Sequence, residues 1–171
     1  GVPGTLAPTG NPACASTRWI TGDIDTTWAG GVNRSDFDLW GTNLTLDYDF
    51  GDFSLKSISA YRDQSSHMEY DFDGTPHTIL RIASDIDVWQ ASQELQFTGS
   101  LMDGRVKFVL GGYYLKEKGT DYTPMEFGFA QFFTGGDIDN DSYASYLQAT
   151  FNVTDRFSIT PGIRYTNETK R

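Results

Sequence analysis

The sequence predicts an all-β chain, an antiparallel meander of about six long strands with one apolar and one polar face, of the kind that forms a membrane barrel wall. Three observations carry that reading. Residues alternate strictly: in "YASYLQATFNV" Tyr143, Leu147, Ala149, Phe151 and Val153 share one face with Ser145, while Ala144, Tyr146, Gln148, Thr150 and Asn152 share the other. Short and long connections alternate along the chain. Aromatic residues recur on the apolar face at a constant separation.

Residues 1–37 lack any period. Gly, Pro, Thr, Ser, Asn and Asp dominate, so 1–37 reads as a long loop region and 38–171 as the strand segment. From Trp40 alternation begins, with Leu44, Leu46, Tyr48 and Phe50 opposite Asn43, Thr45, Asp47 and Asp49. Gly51-Asp52 has the chemistry of a type II′ hairpin. Pairing Phe50 with Phe53 then sets Asp47 against Lys56, an opposite-charge pair that favours this register. The return strand runs to about Arg62, and residues 63–86 read as a long polar loop.

The third strand runs from about Val88 to Thr98, a turn occupies 99–105, and the fourth strand covers about Val106 to Lys116. A second long loop is expected over 117–141. The last two strands flank a turn at 154–156. Short turns on one end and long loops on the other match the asymmetry of transmembrane barrels.

Near the short-turn end lie Phe50, Phe53, Phe97, Phe108, Phe151 and Phe157; near the long-loop end lie Tyr61, Trp89, Tyr114, Tyr143 and Tyr165. Eight residues separate Phe53 from Tyr61, Trp89 from Phe97, Tyr143 from Phe151 and Phe157 from Tyr165. That spacing is about 26 Å along a strand and about 20 Å of height at a 40° tilt, close to the apolar band of a barrel. Tyr and Trp suit the headgroup level. The opposite face carries Asp47, Asp49, Lys56, Arg62, Glu94, Gln96, Lys107, Gln148 and Arg164, groups that need a wide, wet lumen. Gln93 on the apolar face and Pro161 within a strand do not fit the pattern, and each is expected to mark a bulge or a register change.

Composition narrows the partners. The formal charge of -10 excludes a nucleic-acid surface. No apolar run reaches the 18 residues of a membrane helix, which leaves membrane strands open. The chain opens without a signal peptide, so the signal is read as removed or the chain as a fragment. Cys14 is the sole cysteine, which rules out an internal disulfide.

The segments "SISAYR" (57–62), "SQELQFTG" (92–99), "KFVLGGYYLKEK" (107–118) and "DSYASYLQATFNVTDRFSITPGIRYTNETK" (141–170) resemble the barrel strands of TonB-dependent outer-membrane receptors. The resemblance implies a barrel of about 22 strands in a Gram-negative outer membrane, an N-terminal plug, and a TonB-type energy-transducing partner in the periplasm. It implies active uptake of a scarce small-molecule ligand such as a ferric siderophore. About six strands cannot close such a barrel, so the chain reads as an internal piece whose plug and remaining strands lie elsewhere in the protein. The short turns would then be periplasmic and the long loops external. A passive porin and a soluble β-propeller or sandwich binding glycans are the alternatives.

No catalytic constellation and no cofactor motif occurs, so no enzyme activity is expected. The expected ligand contacts are His67, Asp71, Asp73 and His77 in the first long loop and Phe127, Phe129, Phe132 and Phe133 in the second. Asp137, Asp139 and Asp141 alternate as a calcium loop begins, but Ser142 and Gln148 stand where such a loop needs Gly and Glu. Metal binding is therefore not expected there.

Overall fold

The computed structural model describes residues 19–171. One antiparallel sheet holds all the strands: β1 (Arg34–Asp49), β2 (Phe53–Asp71), β3 (Leu80–Leu101), β4 (Val106–Phe127), β5 (Ala130–Thr154), β6 (Phe157–Ile159) and β7 (Gly162–Lys170). Their order is β1-β2-β3-β4-β5-β6, with β7 also paired to β5. Among the described residues Ala144 is the one buried apolar side chain. A single layer with two uncovered faces has no globular core, and its stability has to come from what lies against those faces.

The strands run further than their apolar patterns suggest. The expected loop at 63–86 shrinks to residues 72–79, and that at 117–141 to residues 128–129. Strand also begins at Arg34, inside the expected 1–37 loop, whose described residues 19–33 contain none. Much of the extra strand is polar, as in residues 63–67 and 117–121, so apolar alternation is not sustained into it. Its backbone is held by pairing and by side chains such as Thr123, whose hydroxyl donates to Ser84 at 3.3 Å. Short turns occupy 50–52, 102–105 and 155–156; the second is shorter than the expected 99–105 because β3 runs on to Leu101.

The first two turns are explained by their residues. Gly51 has φ +77°, and Phe50 N–H donates to the Phe53 carbonyl at 3.0 Å. Lys56 and Asp47 lie 3.2 Å apart, so the expected first register holds. At the second turn Asp103 and Gly104 both have positive φ, and Arg105 N–H donates to the Met102 carbonyl at 3.2 Å, the geometry of a type I′ Asp-Gly turn. Neighbouring hairpins are tied at this end. Ser100 N–H donates to the Asp52 carbonyl at 2.9 Å, and Asn152 N–H to the Arg105 carbonyl at 2.8 Å.

Pro161 marks no bulge. Pairs run from Asn140↔Lys170 to Gln148↔Gly162 and resume at Phe151↔Ile159 with the same register. The irregularity lies instead beside the turn, between Asn152 and Thr154. Ala149 N–H still donates to the Pro161 carbonyl at 3.0 Å. Proline has no N–H to return, so one ladder bond is missing and one strand is recorded as β6 and β7.

The chain divides into two compact units. The wall unit comprises Leu39–Gln64, Val88–Gly119 and Asp137–Arg171. The ribbon unit comprises the described residues through Asp38 together with Ser65–Asp87 and Thr120–Gly136.

Candidate functional site

In the wall unit part of each expected aromatic group is in ring contact. Phe50, Phe53, Phe97 and Phe108 form one continuous cluster with centroid separations of 5.6 to 6.4 Å. Gly99 makes room for it: a Cβ there would lie 2.5 Å from Phe53 and 2.6 Å from Phe108. Phe151 and Phe157 are exposed near the third turn. In the second group Tyr61 stacks on Trp89 at 6.2 Å. Tyr114, Tyr143 and Tyr165 are exposed; Tyr143 pairs with Asn167 and Tyr165 with Ser145, so those two rings are diagonal neighbours. The second group also takes in Trp40, 5.2 Å from Tyr61, which sequence reading overlooked although it shares the parity of Leu44 and Leu46.

Gln93 lies within β3 and bonds to Ser57 and Ser59 of β2, which share the parity of Phe53 and Tyr61. Its Nε2 donates to Ser57 Oγ at 3.0 Å and to the Glu94 carbonyl at 3.1 Å, while its Oε1 accepts from Ser59 Oγ at 2.5 Å. Both ends of the amide are satisfied by the neighbouring strand, which permits a polar group among apolar ones.

The polar face carries a brace built on Tyr146. Its hydroxyl donates to Glu94 Oε1 at 2.6 Å, and Gln96 Nε2 donates to the same oxygen at 3.0 Å. To reach from β5 to β3 the ring must cross β4. It does so over Gly111, where any Cβ would overlap the ring. The Arg164 guanidinium lies 5.8 Å from the ring centroid, and its Nε donates to Thr166 at 3.1 Å. Nearby, Glu117 accepts from Gln90 and from Asn140. Arg62, Gln64, Val88, Gln90 and Glu117 line a cavity of about 190 Å3.

The aspartates of the calcium-like run lie in strand β5. Lys116 pairs with both Asp139 and Asp141, Lys118 lies 3.2 Å from Asp139, and the Tyr114 hydroxyl donates to Asp141 at 3.0 Å. An extended strand cannot wrap a cation as a calcium loop does. Among the described residues no group of three or more His, Cys, Asp or Glu is disposed to hold a metal.

In the ribbon unit the two histidines have different surroundings. His67 is in strand β2, with Nδ1 2.5 Å from Asp85 Oδ1 and Nε2 3.9 Å from Glu69, which also pairs with Arg81. Asp85, Glu69 and Arg81 were missed because they come together only across the β2–β3 ladder. His77 lies in the 72–79 link with its ring 5.8 Å from that of Trp19.

Asp71 and Asp73 are engaged with backbone. Asp71 accepts from Gly31 N–H at 2.8 Å and from Asp73 N–H at 3.1 Å. Asp73 accepts from the amides of Thr75 at 2.9 Å and of Ile79 and Leu80 at 3.0 Å, and from the Thr75 hydroxyl at 2.5 Å. Burial by itself would raise the Asp73 pKa; the hydrogen bonds from Thr75, Leu80 and Ile79 outweigh it and hold the carboxyl below the usual range.

Phe127 packs on Phe129 at 5.9 Å and on Phe132 at 5.5 Å, whereas Phe133 stacks on Tyr122 at 5.9 Å. Phe129, Phe132 and Phe133 remain well exposed. Beside Phe133 a cavity of about 220 Å3 is lined by Glu69, Arg81, Ala83, Pro124, Met125, Glu126 and Gln131. This cavity brings together one expected ligand-contact residue, Phe133, with residues that sequence reading did not single out.

Comparison with known proteins places these features in context. A family model described as "TonB dependent receptor-like, beta-barrel" matches residues 3–171. Among solved structures, the ferric yersiniabactin uptake receptor FyuA from Yersinia pestis is similar, with a TM-score of 0.70 at 20% identity. The match covers 80% of this chain and 21% of that receptor, so the chain spans about a fifth of its length. Comparison with curated protein sequences returns no match.

Proposed function

Because this chain belongs to the TonB-dependent receptor β-barrel family, we propose that it forms part of the wall and the outward-reaching ribbons of an outer-membrane uptake receptor in a Gram-negative bacterium. Its place is in a receptor and not in an enzyme. The observation that carries the reading is the pair of aromatic groups on the apolar face of the wall unit. Phe50, Phe53, Phe97 and Phe108 mark one membrane boundary, and Trp40, Tyr61 and Trp89 the other. The polar face, with Glu94, Tyr146 and Arg164, lines the lumen.

In this reading the short turns are periplasmic. The ribbon unit is extracellular and makes first contact with a scarce small-molecule ligand such as a ferric chelate, through His67, His77 and the exposed Phe129, Phe132 and Phe133. Uptake draws energy from a TonB-type periplasmic partner, engaged through other parts of the receptor together with its plug. The structurally similar FyuA is a ferric yersiniabactin uptake receptor, which supports the siderophore class for this chain.

Two measurements test this. The whole receptor is reconstituted with lipids brominated near the headgroup, and its tryptophan quenching is compared with that of the Trp40→Phe/Trp89→Phe variant. Loss of a quenched component in the variant is expected; unchanged quenching would refute the membrane placement. Uptake of radiolabelled ferric chelates by cells should stop when the inner membrane is de-energised. Uptake that continues undiminished points to a passive pore.

A further inference from the structure

The charge of the chain is concentrated in one unit. Among the described residues the ribbon unit has eleven acidic side chains against two basic ones, Arg34 and Arg81, while the wall unit has twelve acidic against ten basic. Both ribbon cations are already paired, Arg34 with Asp36 and Arg81 with Glu69. Among the described residues an anionic ligand would therefore meet repulsion and no free positive group. A cation would be attracted over the last Debye length, roughly 8 Å at physiological ionic strength.

The cavity beside Phe133 supplies a specific seat for that cation. Glu126, among the described residues, has no hydrogen-bond or ion-pair partner, and it borders the cavity. Ala83, Pro124, Met125 and Phe133 supply apolar lining, while Gln131 and the mutually paired Glu69 and Arg81 complete the wall. Phe133 is 64% exposed and is fixed by stacking on Tyr122. A carboxylate next to an aromatic face is the pairing that recognises an organic cation with an apolar body. At about 220 Å3 the space is below the roughly 300–1,000 Å3 of a site that encloses a drug-sized ligand. It suits one moiety of a larger molecule.

We propose that the Glu126–Phe133 cavity of the ribbon unit binds the cationic end of a small ligand, a primary ammonium or guanidinium attached to an aryl or alkyl group. The proposal rests on the uptake-receptor reading and narrows it, since it selects cationic over anionic ligands at the first contact.

Tyramine is the probe, with N-acetyltyramine as its neutral counterpart and 3-(4-hydroxyphenyl)propionate as its anionic one. Binding to the purified whole receptor in detergent is followed by saturation-transfer NMR at fixed ionic strength. Tyramine should bind about tenfold more tightly than either counterpart, as a charge-assisted contact requires. Glu126→Gln should remove that preference, and Glu126→Asp should retain most of it. Heat-modifiable migration of each variant reports that the barrel is intact. Equal binding of the three probes, or tyramine binding unchanged in Glu126→Gln, overturns the proposal. Energised uptake of ferric chelates by wild-type cells is read separately and does not depend on the probe, so failure of this inference and failure of the transport reading are distinguishable.

Discussion

The Tyr146 hydroxyl donates to Glu94 Oε1 at 2.6 Å across an intervening strand, a reach that Gly111 alone makes possible. Adding a methyl group at position 111 forces the ring off its acceptor. Gly111→Ala should therefore lower barrel stability by about 1–3 kcal/mol, as overpacking does. The double variant Gly111→Ala/Tyr146→Ala should be no worse than Tyr146→Ala. Urea unfolding in liposomes checks this non-additivity, and simple addition of the two effects would show that Tyr146 does not cross β4 in the membrane.

Gln93 tests the satisfied amide on the apolar face. Gln93→Leu leaves the Ser57 and Ser59 hydroxyls without their partner and should cost about 1–3 kcal/mol. Adding Ser57→Ala and Ser59→Ala should recover most of the loss, because removing all partners together is nearly neutral. The same unfolding assay reads both variants. No recovery in the triple variant would mean that Gln93 matters for another reason.

At Pro161 two effects oppose each other. Pro161→Ala supplies an N–H to the Ala149 carbonyl, worth about 0.5–1.5 kcal/mol. It also frees the unfolded chain, which costs about 0.4–1 kcal/mol. The net change should stay within about 1 kcal/mol, with the new amide at 161 protected from hydrogen exchange. A fast-exchanging amide there would contradict the unbroken register between β5 and β7.

The link at 72–79 should respond to acid. The carboxyl of Asp73 has a folded pKa below its unfolded one, held down by Thr75, Leu80 and Ile79 against the opposing effect of burial. Its contribution is complete above the unfolded pKa and is lost as pH falls through the lower folded value. Hydrogen exchange of the Thr75, Ile79 and Leu80 amides, corrected for intrinsic rates, should accelerate over that acidic window. In Asp73→Asn the acid response should vanish; an identical response in the variant would assign it to another group.

The wall was legible in the sequence because two independent constraints shaped it. Alternation follows from the two faces of a strand, the eight-residue aromatic spacing is a separate regularity along it, and Phe53/Tyr61 and Trp89/Phe97 displayed both. The strand extensions were hidden because His67, Glu69, Arg81 and Asp85 are polar residues joined only across the ladder, where one-dimensional pattern carries no signal. Tyr146 over Gly111 was hidden for a related reason: the pair lies on different strands, and a glycine in a strand has several explanations. Pro161 and Gln93 were correctly marked as exceptions, but their resolution needed the partners Ala149, Ser57 and Ser59.

The bonds from Ser100 to Asp52 and from Asn152 to Arg105 join the base of each hairpin to that of the next. Together they set how far each strand is offset along its neighbour. In a closed barrel the sum of such offsets is the shear, which with strand number determines both radius and inclination. Within such a barrel, three small turns of this kind would carry a share of the bore diameter.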